Sequence, residues 1–226
     1  LLEAPVLAFF LAYLIRYFDI STRNGGYTLY DNSNLPVYIF MSVIVAIFMG
    51  LTVSAEEIIK DRKILKREAF LNLSWNSYLL SKVFVQFGIS AIQALSFVLI
   101  GNAIIGIREM TFQYWLVLFS CWASANMLGL VISDSFKAVV TIYILIPFLV
   151  IPQIILSGVL VKFEKLNPAI SSPVTIPAYG ETITARWGYE ALAVNQFVNN
   201  RYERGFYRYD KAMSKARYKK DYRSEE

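Results

Sequence analysis

Long runs of apolar residues, broken by short polar segments, dominate the pattern along the chain. A helix needs about 20 mainly apolar residues to cross a hydrocarbon core roughly 30 Å thick. Runs of this kind predict four membrane-spanning helices, over residues 37–55, 83–107, 114–132 and 138–161. A shorter run, 4–18, predicts a fifth span. A signal peptide is the competing interpretation of this first run, but no basic segment precedes it and no small-residue cleavage site follows it.

The composition agrees with a membrane location. Hydrophobic residues make up 56% and charged residues 17% of the 226 residues, and the mean hydropathy is +0.46. Soluble domains usually carry about 25% charged residues. The sequence therefore predicts an all-α membrane protein, a bundle of five membrane-spanning helices with a charged cytoplasmic helix and an outer loop region.

One segment, 56–68, carries nine charges in thirteen positions and lies between two predicted spans. Five of these charges are Lys or Arg, whereas each other short loop has a single one: Arg23, Arg108 or Lys137. Cytoplasmic loops hold the excess of Lys and Arg. We therefore predict that the loop 56–82 is cytoplasmic, and the alternation of sides then places 162–226 outside.

The last segment, 201–226, has nine Lys and Arg and five Asp and Glu. Its net positive charge argues against an outer location, but long segments far from a span end cross the membrane regardless of charge. Apolar residues at steps of four and three predict an amphipathic helix: Tyr202, Phe206, Tyr209, Met213 and Ala216. This helix could lie on an anionic membrane, form a coiled-coil or partner-binding arm, or be an insertion before a further span, which we favour.

Within the spans, small and polar residues indicate how the helices meet. Cys121, Ala125 and Gly129 recur every four residues and predict a surface that another helix can approach closely. Pro147 and Pro152 predict a kink or an unwound turn in the last span, which is then a candidate gate. Amides are expected to form hydrogen bonds between helices, with contact to a substrate as the alternative: Gln86, Gln93, Asn102, Asn126 and Gln153.

Catalytic and metal-binding chemistry is not indicated. The chain has no His, and Cys121 is its single Cys. None of the four long runs contains an internal charged residue, which argues against a proton relay or an ion-coupled carrier. No phosphate-binding loop of the Gly-x-x-x-x-Gly-Lys-Ser/Thr type occurs. Any source of energy must then lie on another domain.

Three short motifs follow one another along the chain. Residues 61–68 read Asp-Arg-Lys-Ile-Leu-Lys-Arg-Glu and precede Tyr78 and then Ser-Lys at 81–82. Residues 156–161 read Leu-Ser-Gly-Val-Leu-Val. Residues 186–197 read Arg-Trp-Gly-Tyr-Glu-Ala-Leu-Ala-Val-Asn-Gln-Phe. In this order, the three motifs resemble the transmembrane domain of G-subfamily ABC transporters of the White/pleiotropic drug resistance type, within the ABC-2 permease class.

The match departs from the family pattern at a few places. Asp61 replaces Glu, Val159 replaces Leu, and Gln196 replaces Glu. Family members also have a sixth span, and cysteines in an outer loop, that this sequence lacks. Since the chain starts at Leu1 and not at Met, we expect a piece of a longer protein.

The resemblance implies roles for the charged segment. Residues 57–68 are expected to form a connecting helix and 72–76 a short coupling segment that docks on an ATPase domain. The residues expected to carry this coupling are Glu57, Asp61, Arg62, Arg67, Glu68 and Tyr78. Asp61, Arg62, Arg67 and Glu68 are expected to pair within that bundle. The alternative is a solvated amphipathic helix that only links two spans.

The resemblance also implies two elements near the outer side. Val159 and Leu160 are expected to form an apolar gate or plug, with ordinary helix packing as the alternative. Residues 186–197 are expected to form an outer re-entrant segment, with exposed surface as the alternative. Its expected functional residues are Arg186, Glu190, Asn195 and Phe197.

The sequence as a whole predicts the permease part of an ATP-driven exporter in the cell membrane. Its expected divisions are a transmembrane domain (1–161), an outer segment (162–197) and a basic tail or insertion (198–226). Expected partners are an ATP-binding cassette domain that holds ATP and Mg, a second transmembrane domain in a homodimer or heterodimer, membrane lipid and a lipophilic substrate. We expect no nucleic acid, no cofactor or metal in this segment, and no enzymatic activity of its own. The alternative is a membrane sensor or scaffold whose charged loop docks a partner.

Overall fold

The computed structural model describes residues 2–16, 34–68, 74–161 and 178–200. These residues form helices and no strand, which confirms the predicted all-α class. The helices in chain order are α1 (Glu3–Ile15), α2 (Leu35–Ser54), α3 (Glu57–Glu68), α4 (Trp75–Ile105), α5 (Thr111–Ser135), α6 (Val139–Ile155), α7 (Ala178–Glu181) and α8 (Thr184–Asn199). The predictions for the tail, 201–226, concern residues outside these ranges.

Three apolar helical segments are long enough to cross a membrane: Leu35–Arg67, which includes α2 and most of α3, Trp75–Ile105 and Thr111–Ser135. The apolar helices α1 and α6 are shorter. Each predicted span therefore corresponds to a helix, but two boundaries differ by more than three residues. α6 ends at Ile155, before the predicted end at 161, and α4 begins at Trp75, before the predicted start at 83.

The early start of α4 has a local cause. The Ser74 hydroxyl oxygen accepts a hydrogen bond from the Ser77 amide at 3.4 Å, which caps the helix. The helix then continues through polar residues to the apolar run and ends at Gly106, whose φ of 93° suits glycine. As a result Tyr78 and Lys82 lie on the same rigid helix as the membrane span that follows them.

The small-residue surface of α5 packs as predicted. A Cβ atom built on Gly129 would lie 1.9 Å from Ser54 Oγ of α2, and one built on Gly50 of α2 would lie 2.8 Å from the Ala125 Cβ. Cys121 instead faces α8, where a Cβ on Gly188 would lie 2.6 Å from its Sγ. Small residues thus let α2 and α8 approach α5 closely, since any larger side chain would collide.

Polar side chains join the helices inside the bundle. Asn126 Nδ2 of α5 donates to Ser90 Oγ of α4 at 2.6 Å. Gln153 Oε1 of α6 accepts from the Ala185 amide of α8 at 3.0 Å. For Asn126 and Gln153 the predicted hydrogen bonds between helices are confirmed. The Ala185 amide belongs to the first turn of α8, where amides have no partner within the helix, so Gln153 caps this helix from a neighbour.

The prolines of α6 do not interrupt it. The helix runs from Val139 to Ile155 with Pro147 and Pro152 inside it, so the unwound turn offered as one alternative is not present. The helix ends at Ile155, about one turn after Pro152, and the Leu156 amide still donates to the Pro152 carbonyl at 2.8 Å.

The last helix, α8, is inserted among the spans. Leu192 and Ala185 are fully buried, and the Tyr114 hydroxyl of α5 donates to Gln196 Oε1 at 2.9 Å. Gly188 lies against Cys121, about ten residues and so roughly 15 Å along α5 from its start. The N-terminal half of α8 therefore packs against the middle of α5.

Candidate functional site

The charged helix α3 is joined to α4 by a compact group of side chains. Lys82 Nζ lies 2.9 Å from Glu57 Oε2 and 2.7 Å from Asp61 Oδ2. The Tyr78 hydroxyl donates to the same Asp61 oxygen at 3.0 Å. We call these four residues the α3–α4 ion cluster. Its members are only partly exposed, so the charge pairs are less screened than surface pairs.

The ion cluster alters the protonation of its members. The hydrogen bond from Lys82 lowers the pKa of Asp61, and the bond from Tyr78 contributes to this. Burial and the Asp61 carboxylate raise the pKa of Tyr78 to about 12. Burial disfavours the charged form of Lys82, but the two carboxylates outweigh it and raise its pKa above the usual value. At neutral pH Asp61 is therefore a carboxylate, Lys82 an ammonium and Tyr78 a neutral phenol.

The same helix is joined to α5 by bonds that run in both directions. The amides of Ile58 and Ile59, in the first turn of α3, donate to Ser133 Oγ at 3.0 and 3.1 Å. Arg62 Nη2 in turn donates to the Ser133 and Asp134 carbonyls at 3.3 and 2.7 Å. Helix ends leave such amides and carbonyls without partners. Each helix therefore satisfies the free end of the other, and Ser133 is fully buried in the junction.

A third contact reaches α6. Glu56, in the turn before α3, accepts a hydrogen bond from the Tyr143 hydroxyl and pairs with Lys60. The segment 56–62 thus contacts the three helices α4, α5 and α6 at one end of the bundle.

The remaining predicted residues of the charged segment are placed differently. Arg67 is exposed and has no ion pair among the described residues, so its expected pairing is not found there. The side chain of Glu68 lies outside the described part of the chain. Of the predicted coupling segment, 72–76, only 74–76 are described, and they form the cap and first residues of α4.

Near the other end of the bundle, the predicted gate residues follow α6. Gly158 has a φ of 78°, which turns the chain after the helix. Ser157 Oγ accepts from the Val159 amide at 3.3 Å, and Leu160 is 65% exposed. Both gate residues therefore lie in a non-helical turn and not inside a span. Val159 borders an open cleft of about 340 Å³ that the side chains of α8 complete.

The outer motif on α8 contains one buried cation. Arg186, only 8% exposed, donates to the Gly180 carbonyl at 3.3 Å and lies 3.6 Å from the exposed Glu190 carboxylate. Asn195 is half-buried and bonds to Asn199 one turn later. Phe197 is 41% exposed. Arg186 and Glu190 line the same cleft as Val159, whereas Asn195 and Phe197 do not.

Sequence reasoning missed two residues that hold the charged helix. Lys82 was part of a matched motif but was not singled out, although a cation directly before an apolar run is a visible signal. Ser133 carried no local signal, because its role depends on the end of α5 meeting the start of α3. Only the alternation of sides, which brings the loop after the predicted span 114–132 to the same side as the loop 56–82, pointed to that meeting.

Residues 2–197 match the family model described as ABC-2 type transporter. The chain is 23% identical to the ABC transporter G family member STR of Medicago truncatula over 184 residues, which are 79% of this chain and 21% of that protein. It is 28% identical to the ABC transporter ATP-binding/permease protein Rv1747 of Mycobacterium tuberculosis over 173 residues, 72% of this chain and 19% of that protein. No solved structure gives a significant match. The chain thus spans about a fifth of the length of these relatives, and it belongs to the ABC-2 type transporter family.

Proposed function

We propose that this chain is the membrane-spanning permease part of an ATP-driven exporter, and that α3 transmits movement from an ATPase domain to the spans. The observation that carries the proposal is the set of contacts that fix one charged helix to α4, α5 and α6. A helix that only linked two spans would not need ionic and capping contacts to three others. Family membership supports a transporter component.

In this mechanism the movement of α3 is passed on through two rigid joints. The ion cluster fixes α3 to the N-terminal extension of α4, which continues without a break into a membrane span. Arg62 and Ser133 fix α3 to the end of α5. A push on α3 therefore shifts the ends of two spans together, because neither joint can lengthen without exposing unpaired charges or helix-end groups.

Two copies of the membrane domain enclose the transport path, as a homodimer or heterodimer. ATP and Mg bind to an ATP-binding cassette domain, on the same chain or another, that docks on the cytoplasmic loop 56–82. The outer side holds the cleft between Val159 and α8, whose walls are mainly apolar. A lipophilic or amphipathic substrate suits spans that lack charged residues in their apolar runs.

The test uses the full-length protein, reconstituted in proteoliposomes, and measures its ATPase rate. Replacing both Asp61 and Arg62 by Ala removes one contact from each joint, and the ATPase rate should fall several-fold. Lys137→Ala is the matched control, because Lys137 lies at the same end of the bundle and is exposed but belongs to neither joint, and it should keep the wild-type rate.

A second pair of variants separates coupling from misfolding. Lys82→Arg keeps a cation in the ion cluster and should retain most of the ATPase rate, whereas Lys82→Met should lose it. An ATPase rate that neither Lys82→Met nor the double replacement changes would show that α3 is not the coupling element. A full-length protein without any ATPase activity would instead favour a sensor or scaffold.

A further inference from the structure

The charges of α3 are divided between two faces. Glu57 and Asp61 face α4 and are neutralised by Lys82. Lys63, Lys66 and Arg67 are exposed and have no ion pair with any described residue. The helix therefore binds α4 through its acidic side, whereas these three cations face outward. We call Lys63, Lys66 and Arg67 the basic face of α3.

This basic face lies close to the membrane surface. Lys82, which is bonded to Asp61, directly precedes the apolar run of α4, so the ion cluster marks the edge of the hydrocarbon core. Residues 63–67 lie at most roughly 3–9 Å further along α3 than Asp61. The headgroup layer is roughly 5–8 Å thick on each side. Long Lys and Arg side chains therefore reach it whether α3 stands upright or lies flat.

Exposed apolar residues near the basic face favour its contact with lipid over contact with water alone. Ile64, between the exposed cations, is itself 52% exposed, and Trp75 at the start of α4 is 45% exposed. The Trp75 ring packs against Tyr78 at a centroid distance of 5.5 Å. Tryptophan is enriched where a membrane meets water, and cations mixed with apolar side chains suit an anionic headgroup layer.

We propose that the basic face of α3 binds the phosphate groups of anionic phospholipids in the leaflet that surrounds this end of the bundle. The three cations follow the residues that bond to α5 and are exposed. Bound lipid would hold α3 at the membrane surface from outside, while the ion cluster holds it from inside. This inference rests on the membrane spans and not on ATP-driven transport.

Native mass spectrometry of the full-length protein in detergent tests the proposal, with phosphatidylglycerol and phosphatidylcholine as probes. The wild-type protein should bind phosphatidylglycerol more tightly than phosphatidylcholine, and added salt should weaken the binding of phosphatidylglycerol.

Replacing Lys63, Lys66 and Arg67 by Gln should lower the affinity for phosphatidylglycerol at least about tenfold. Exchanging them for Arg, Arg and Lys keeps the charge and should leave the affinity within about twofold of wild type. Arg108→Gln, at the other end of the bundle, should change nothing.

A second measurement uses the wild-type protein alone. In nanodiscs, acetylation of Lys63 and Lys66 by an amine reagent should be slower with phosphatidylglycerol than with phosphatidylcholine alone. Equal affinity of the wild-type protein for both lipids, or equal loss in the charge-removing and charge-keeping variants, would overturn the proposal. So would protection of both lysines by the ATPase domain in lipid-free detergent, since the face would then be a protein interface.

Discussion

The hydroxyl oxygen of Ser133, near the end of α5, accepts hydrogen bonds from two amides in the first turn of α3, that of Ile58 at 3.0 Å among them. Removing this hydroxyl leaves both amides without a partner in a buried junction. Ser133→Ala should therefore lower the free energy of unfolding by about 1 kcal/mol. The thermal unfolding midpoint of the purified protein measures this.

Ser135→Ala is the control for that variant, because Ser135 lies on the same helix but is exposed and bonds only to the Val131 carbonyl of its own helix. Its unfolding midpoint should match the wild type. Equal losses in the two variants would mean that Ser133 acts through local helix propensity and not as a cap for α3.

Lys82→Met should destabilise the protein in a pH-dependent way. Lys82 lowers the pKa of Asp61 below its ordinary value of 3.8. The ionised carboxylate therefore adds stability above that pH, and the contribution is lost as the pH falls through the lowered pKa. At pH 7 the free energy of unfolding of the variant should be about 1–2 kcal/mol lower than that of the wild type. This difference in stability should shrink below about pH 4.

Thermal unfolding of Lys82→Met, Lys137→Met and the wild type across this pH range gives the comparison. Lys137→Met removes an exposed charge at the same end of the bundle and should behave as wild type throughout. A constant difference between Lys82→Met and wild type from neutral to acid pH would argue against an ionic role for Lys82.

Gly129→Ala should disturb the packing of α5 on α2. The new methyl group would lie 1.9 Å from Ser54 Oγ and 3.1 Å from the Leu51 carbonyl oxygen. Forcing the two helices apart should lower the free energy of unfolding by about 1–3 kcal/mol, which is measured as a lower thermal unfolding midpoint. Adding Ser54→Gly should restore part of the lost stability, because the nearest clash is with the Ser54 side chain.

Gly88→Ala provides the opposite case. A Cβ at Gly88 of α4 would meet no atom within 4 Å, so this variant should keep or slightly raise the stability, since alanine favours helix over glycine. If both glycine variants lost the same amount, close contact between helices would not be the cause.

Gln153→Leu should loosen the start of α8. The Ala185 amide loses its acceptor, so hydrogen exchange in the first turn of α8 should speed up several-fold while α2 and α5 keep their protection. Gln113→Leu replaces a half-buried amide for which the described residues show no hydrogen bond and should leave that exchange unchanged. Unaltered exchange in Gln153→Leu would show that packing alone holds α8.

The sequence was a good guide to the parts of the fold that depend on composition and local spacing. The apolar runs predicted the positions of the helices α1, α2, α4, α5 and α6, because a membrane span demands length and hydrophobicity in one continuous segment. The spacing of Ala125 and Gly129 predicted a close helix contact because residues four apart share a helix face. Both features are contained within one element.

Features that depend on how two elements meet were harder to predict. The boundary of α6 depends on a turn at Gly158, and the place of Arg67 depends on which side of α3 faces α4. Ser133 has no pattern of its own, since its partners lie more than seventy positions earlier in the chain. Charge content identified the segment 56–68 as important, but not which charges face the bundle.

Gln196 illustrates a departure from the family motif that the structure explains. Its side chain is 1% exposed and accepts a hydrogen bond from Tyr114. A glutamate at this position would place a carboxylate in a buried site with one neutral donor, which is costly. The amide keeps the same bond without a charge.

Because Cys121 lies against Gly188, its thiol can report on the packing of α8 against α5. This is the single cysteine of the sequence, and it is 3% exposed because the backbone of α8 covers it. A thiol reagent can reach it only when α8 separates from α5. The rate at which a thiol reagent modifies Cys121 in the unaltered protein therefore measures how often α8 separates from α5.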